Sequence, residues 1–347
     1  MSNKILHIAG CDKFIPPFIE FVRSYFNFKE HTFLLTTGMA EKDLNQYQNV
    51  KLSKKTILSM INHHILIILK MHLNEKIILH GLSFRIVVIL FFMPWLLKRC
   101  YWVMWGGDLY SYNIRTQGLN SYILELVRAF VIKRIGHFVT YIKGDYELAK
   151  EWYGVDGIYH ECLMYPSNVY KEYAVPPKSG DTINILVGNS ADPTNNHAEI
   201  FERVSLYKNE NIHIYCPLSY GQVGYAELIL KLGSELFGSK FTPLLDFMSF
   251  EKYLELLGQI DIAMFAHKRQ QAMGNTITLL GLGKKVYMRK DVVQWNLFDS
   301  IGVKVFDVEQ LNINLLSNED IVMNITTIRN RFSETKLVEQ YAQIFGN

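Results

Sequence analysis

Short apolar runs alternate with longer segments whose apolar residues recur every three to four positions, from one end of the 347-residue chain to the other. The runs have strand length and the longer segments have the period of a half-buried helix; their alternation is the pattern of stacked βα units around parallel sheets. In the first half, strands are predicted at residues 4–8 (KILHI), 32–36 (TFLLT), 76–80 (KIILH), 101–105 (YWVMW) and 137–142 (HFVTYI). Helices are predicted between them near 17–26, 56–72, 84–97, 120–134 and 145–153. At 165–181 (YPSNVYKEYAVPPKSGD) the pattern breaks: prolines and turn formers replace any period, so this stretch is expected to be extended or irregular. Beyond it the alternation restarts, with strands predicted at 183–187, 212–216, 241–245, 260–265, 285–288 and 303–306. The reading is an α/β protein of two Rossmann-like domains with parallel sheets facing across a cleft. Their predicted bounds are 1–165, a linker at 166–181, and 182–347.

Composition narrows this without redirecting it. A 49% hydrophobic and 20% charged chain can bury two cores. The formal charge of +3 is too small for a dedicated nucleic-acid binder, so no nucleic acid is expected as partner. Four widely spaced cysteines, with no CxxC pair, read as reduced and buried, which favours the cytoplasm. The opening MSNKILHIAG reads as a first strand rather than a signal peptide. The most apolar window, 86–97 (IVVILFFMPWLL), contains a proline and at about twelve residues is short of the ~20 a bilayer requires. It reads mostly as core, with Trp95 and the basic Lys98-Arg99 end able to touch a membrane surface.

Candidate chemistry gathers where strands end, because ligands of open parallel sheets bind beyond the carboxyl ends of the strands. In LVGNSADPTNNH, Gly188, Asn189 and Ser190 end a strand, Asp192 follows, and Thr194 or Asn195 is expected to cap a helix beginning near Asn196, just ahead of His197. In FAHKRQQAMGNTITLL, Arg269, Gln270 and Gln271 precede Gly274, Asn275 and Thr276, which open the next helix. A helix N-terminus beside a cation suits a diphosphate and its departure as a leaving group. Tyr220, after the strand at 212–216, is placed to meet a nucleotide base. In WVMWGGDLYSY a strand ends at Gly106-Gly107, which leave room for a bulky acceptor, and Asp108 follows as a candidate to accept a hydroxyl proton. His80-Gly81 and the stretch from Gly10 to Asp12 end two more strands of the same half, either able to line the cleft. The dinucleotide fingerprint GxGxxG and the Walker A motif are absent, which weakens dehydrogenase and ATPase readings.

Three of these stretches resemble those of the bacterial 4-acetamido-4,6-dideoxy-D-galactosyl (Fuc4NAc) transferases, which use a dTDP-sugar to extend a lipid-linked oligosaccharide in enterobacterial common antigen synthesis. The matching residues are Trp105 to Tyr110; Leu186 to Ser190 with Asp192, Asn195 or Asn196, and His197; and Arg269 to Gln271 with Gly274, Leu279 and Leu280. The pattern departs at Ser219, where the family tends to carry glycine.

The resemblance implies a GT-B glycosyltransferase. The C-terminal domain would hold the sugar donor through Gly188, Asn189, Ser190, Asp192, Asn195, His197, Tyr220, Arg269 to Gln271 and Gly274 to Thr276. The N-terminal domain would hold the acceptor at Gly10, His80, Gly106, Gly107 and Tyr110, with Asp108 as base or orienting group and the last helix packing back on that domain. No metal or other cofactor is expected. The implied partners are a dTDP-sugar, an undecaprenyl-diphosphate-linked glycan and the cytoplasmic face of the inner membrane, as a peripheral protein. A related 4-amino-4,6-dideoxyhexose, an O-antigen intermediate as acceptor, a nucleotide-sugar epimerase and a non-catalytic glycan-binding protein stay open as alternatives.

Overall fold

The computed structural model describes residues 4–36, 44–54, 56–114 and 119–346. The first compact unit comprises Met1–Asn168 together with Glu334–Asn347, and the second Val169–Ser333.

In the first unit the chain runs β1 (Ile5–Gly10), α1 (Ile15–Tyr25), β2 (His31–Thr36), β3 (Val50–Leu52), α2 (Ile57–Leu73), β4 (Lys76–His80), α3 (Phe84–Phe92), β5 (Cys100–Val103), α4 (Gly107–Ile114), α5 (Leu119–Ile132), β6 (His137–Val139), α6 (Lys143–Tyr153) and β7 (Ile158–His160). The seven strands form one parallel sheet in the order β3-β2-β1-β4-β5-β6-β7. Chain order reverses between β1 and β4, which is where such a sheet opens a crevice at its carboxyl edge. On one face Leu6, Ile77, Leu79 and Trp102 meet Ile67 and Met71 of α2, Val87 and Leu90 of α3, and Val131 and Ile132 of α5. The other face is aromatic: His7 stacks on Phe33, and Phe18 packs on Tyr341.

The single helix expected over 84–97 is two pieces. α3 ends at Phe92, and Pro94, which has no N–H to continue the ladder, opens a separate 3-10 segment at Pro94–Arg99. The expected strand at 137–142 ends at Val139, and β3 and β7 were not expected at all.

The second unit runs β8 (Ile183–Val187), α7 (His197–Ser205), β9 (Ile212–Pro217), α8 (Val223–Phe237), β10 (Phe241–Leu244), α9 (Phe250–Gln259), β11 (Ile262–Phe265), α10 (Met273–Gly281), β12 (Lys285–Met288), α11 (Val293–Ser300), β13 (Phe306–Asp307) and α12 (Asn318–Arg331). Its six parallel strands lie in the order β10-β9-β8-β11-β12-β13, so chain order reverses between β8 and β11. The edge strand expected at 303–306 forms only at Phe306–Asp307, pairing Tyr287 with Phe306.

The remaining helix, α13 (Glu334–Phe345), belongs to the first unit. Leu337, Tyr341, Ile344 and Phe345 are buried there, Tyr341 donates its hydroxyl to the Met164 carbonyl at 2.8 Å, and Gln340 accepts the Leu163 N–H. The domain of residues 182–347 thus gives up its terminal helix, because the apolar face of α13 completes the aromatic core beside His31 and Phe18. All four cysteines are free and buried, and no helix among the described residues is long and apolar enough to cross a membrane.

Candidate active site

The second unit carries a hydrogen-bonded loop pair at its point of strand reversal. β8 runs into Gly188 at a φ of +68°, in the left-handed region, and a Cβ there would stand 2.4 Å from Nε2 of His197. Gly188 therefore makes room for a buried ring as well as for the turn. Asn195 ties the two loops together. Its Oδ1 accepts the Asn189 N–H at 2.9 Å and lies 2.8 Å from His267 Nε2, while its Nδ2 reaches Ser190 Oγ and the Asp192 carbonyl. Gln271 closes the pair from the other side: its Nε2 lies 3.3 Å from Asn189 Oδ1 and its Oε1 accepts the Thr194 hydroxyl at 2.8 Å. Asn189 Nδ2 donates to the hydroxyl of Tyr220, whose ring is half exposed at the end of β9.

Capping differs from the sequence expectation. Asp192 caps a one-turn 3-10 segment at Pro193–Asn195 by accepting the Thr194 N–H, and Asn196, left-handed at φ 51°, starts α7 with no side-chain cap. Thr194 and Asn195 cap nothing because their polar groups are spent on Gln271, Asp192 and Ser190.

Around this frame the charges are arranged for an anion. α10 opens at Met273, so the N–H groups of Met273, Gly274 and Asn275 precede the first intrahelical bond, from the Thr276 N–H to the Ala272 carbonyl. Arg269 lies four residues upstream, and its Nε is buried with no hydrogen-bond partner. A buried guanidinium N–H without an acceptor costs stability unless a ligand supplies one. Asp192 is pushed up by burial but held lower overall by the Thr194 hydroxyl and N–H and by the Arg269 charge. His197 and His267 are both held neutral by burial, His197 down at about 4 and His267 at about 3. His197 sits beneath the loop, with its Nδ1 3.2 Å from the Tyr225 hydroxyl, and Thr276 returns its hydroxyl to the Ala272 carbonyl. The Thr276 hydroxyl proton is thereby spent and unavailable to an anion, and His197 Nε2 is buried and unpartnered.

In the first unit an open cavity of about 590 Å³ lies at the β1/β4 reversal, lined by Gly10 to Asp12, His80 to Ser83, Trp105, Gly107 and Asp108. Asp108, in the first turn of α4, is saturated. Oδ2 accepts Trp102 Nε1–H at 2.7 Å and the Leu82 N–H at 3.0 Å, and Oδ1 accepts the N–H groups of Trp105 and Leu109, each at 3.0 Å. Burial raises its pKa against these bonds and the Arg128 charge. A carboxylate offers about four acceptor positions, so a substrate hydroxyl reaches Asp108 only by displacing a donor. Asp12 lines the same cavity; its backbone carbonyl accepts the Ile15 N–H at 3.0 Å, but its carboxylate accepts no hydrogen bond among the described residues. Gly107 begins α4 with open space where a Cβ would go, and Gly106 takes a φ of +72°.

Tyr110 does not line this cavity. Two residues past Asp108 on a helix, it is turned to the opposite side, where its hydroxyl donates to buried Asp145 at 3.0 Å. His80 does line it, as the end of a chain of neutral rings: His31 Nδ1 is 2.9 Å from His7 Nε2, His7 Nδ1 is 3.0 Å from His80 Nε2, and His80 Nδ1 is 2.7 Å from the Tyr165 hydroxyl, which also accepts Trp105 Nε1–H. Burial holds His31 at about 4 and His80 at about 3. Each neutral ring carries one N–H, so fixing one proton fixes them all. His7, His31, Asp12 and Tyr165 escape a reading along one strand at a time; Asp12 alone was signalled, by its place after a strand-ending glycine.

The comparisons fit this geometry. A family model described as "4-alpha-L-fucosyltransferase glycosyl transferase group 56" matches residues 3–340. Among solved structures, Anabaena HepE in complex with UDP and glucose superposes with a TM-score of 0.69 at 12% identity, covering 99% of both chains. A glycosyltransferase from Rickettsia africae gives 0.64 at 16% identity, covering 99% of this chain and 98% of that one. WaaG, a glycosyltransferase involved in lipopolysaccharide biosynthesis, gives 0.59 at 12% identity over 98% and 99%. The fold of these proteins is GT-B.

Proposed function

The chain belongs to the group 56 glycosyltransferases, and from that premise we propose that it transfers a 4-acetamido-4,6-dideoxygalactosyl group from dTDP to a hydroxyl of a polyprenyl-diphosphate-linked glycan at the cytoplasmic face of the inner membrane. The family description names a fucosyl group, and fucose shares the 6-deoxygalactose skeleton of that sugar. The observation that carries the assignment of the sugar-donor site is the buried, unpartnered Nε of Arg269 beside the open first turn of α10.

In this reading the diphosphate lies on the N–H groups of Met273 to Asn275 with Arg269 as counter-charge, and Tyr220 flanks the base. The acceptor lies in the cavity of the first unit. Its hydroxyl attacks C1 of the sugar, the bond from C1 to the diphosphate oxygen breaks, dTDP departs carrying the electron pair, and the hydroxyl proton passes to a carboxylate. Asp12, with its lone pairs uncommitted, is the base; Asp108 is the orienting group, holding the Trp105 and Leu82 backbone that walls the cavity. Arg269 and the helix terminus stabilise the departing charge, the role a metal ion plays elsewhere.

Calorimetric titration with dTDP, UDP and GDP, in EDTA and then with Mg²⁺, tests the reading. The expected result is preference for dTDP in EDTA, with Arg269→Ala weakening it roughly ten- to hundredfold. Binding of UDP or GDP alone moves the reading to another sugar donor, GDP pointing to a fucosyl one. No binding of any overturns the site.

A further inference from the structure

Three helical elements cover one face of the first unit's sheet: α2, α3 with its 3-10 extension, and α5, their inner sides packed in the core. Their outer sides are apolar too. On α2, Leu58, Ile61, Ile65, Leu69 and Leu73 follow one another at three- and four-residue steps, which puts them in a single stripe roughly 22 Å long at about 1.5 Å per residue. They are exposed by 51% to 70%. Trp95, 63% exposed, extends the stripe sideways, its Nε1–H 3.3 Å from His72 Nε2 at the end of α2. Phe91 against Phe130 joins α3 to α5, whose own outer side presents Ile123 and Leu126. A helix apolar on its core side and again on its water side needs a second apolar phase, and a contiguous patch of this kind marks an interaction surface.

Charge selects the occupant. Between Lys54 and Arg99 the chain carries Glu75 as its one acidic residue against seven Lys and Arg. Lys76 and Arg99 are tied to backbone carbonyls, whereas Lys54 and Arg85 are exposed, and Lys70 stands half-buried beside the stripe. Protein interfaces concentrate aromatic residues within a hydrogen-bonding rim. Here the exposed apolar residues of α2 are all aliphatic, Phe92 and Trp95 stand exposed on the adjoining segments, and Lys and Arg far outnumber the one acidic residue, a combination that suits the headgroup region of an anionic bilayer.

We propose that the outer face of α2, with the adjoining Trp95 and α5 surface, docks the protein in-plane on anionic phospholipid. The proposal rests on the lipid-linked-acceptor reading only in giving this docking a purpose; the apolar face would need covering whatever the acceptor.

Flotation with vesicles of phosphatidylethanolamine and phosphatidylglycerol, and separately of phosphatidylcholine alone, tests it. The wild type floats with the anionic vesicles, less with phosphatidylcholine, and less as salt rises. Ile61→Asp with Ile65→Asp lowers the bound-to-free ratio by at least roughly tenfold, since burial of even one such side chain is worth that much. An unchanged calorimetric transition of the first unit in that variant shows that its fold is intact. Arg85→Glu weakens binding to anionic vesicles alone. A wild type that stays in the aqueous phase, or a double variant that floats like the wild type, overturns the proposal. So does a dimer in sedimentation equilibrium that the same two substitutions dissolve, since the face then belongs to a second copy. Loss of dTDP binding or of transfer to a soluble acceptor, with flotation intact, counts against the proposed function and leaves the docking surface standing.

Discussion

Gly188 joins two constraints that separate elsewhere, a left-handed backbone and a neighbour at 2.4 Å from any Cβ. Gly188→Ala meets both, and is expected to destabilise the protein by about 1–3 kcal/mol; denaturant unfolding with and without dTDP measures it, with the ligand restoring less stability than in the wild type. The two carboxylates of the first unit's cavity should part ways under substitution. Asp12→Asn is expected to cut turnover on the order of a hundredfold or more with dTDP affinity unchanged. Asp108→Asn turns one acceptor oxygen into an N–H facing backbone donors, so it should lower the melting temperature along with activity. A D12N enzyme that keeps its rate returns the base to Asp108. Both residues stand after glycine-marked strand ends, so their location was legible in the sequence. Their roles were not, because which lone pairs are taken depends on Leu82 and Trp102, 26 and 6 residues away. Tyr110 misled for a related reason: motif proximity to Asp108 says nothing about helical phase.

Strands β2, β1 and β4 each contribute one histidine to the buried chain, and together they make the sheet sensitive to acid. A neutral folded ring whose pKa is depressed from about 6.5 binds fewer protons than the unfolded one, so stability rises with pH through this range and is lost as pH falls. For His31 and His80 the loss begins near pH 6.5 and continues to about 4 and about 3, where the folded rings protonate. His7, held down by burial and then by His31 and His80, adds to the same slope. Urea unfolding should show a midpoint falling steadily from pH 7 to pH 5, and His31→Phe, which removes one ring and its unpartnered Nε2, should flatten that slope. A pH-independent midpoint over that range would refute the neutral chain. At this scale most strands and helices of both units were readable, since fully buried parallel strands are continuous apolar runs bounded by turns. What escaped was short: β3 and β7, of three residues each, are defined by hydrogen bonds to a neighbouring strand rather than by a pattern of their own.

At the scale of the molecule, both sheets place their candidate sites where strand order reverses, between β1 and β4 in one unit and between β8 and β11 in the other. The repeating βα pattern and its break at 165–181 announced two such units. The membership of α13 came from the family resemblance rather than from its own segment, because an amphipathic helix does not declare which core it completes. A chain ending at Ser333 lacks Leu337, Tyr341 and Phe345 from the first unit's core. It is expected to lose the calorimetric transition of that unit while still binding dTDP through the second. This division has a bearing on biosynthesis. A domain generally folds as it is made, with the N-terminal one ahead. Here the first unit waits for α13, which the ribosome makes only after all of Val169–Ser333, so the second unit can reach its native state earlier. Until then the aromatic side of the first unit's sheet has α1 over it but not the Tyr341 and Phe345 side chains, so part of its core stays open while the second unit is being made.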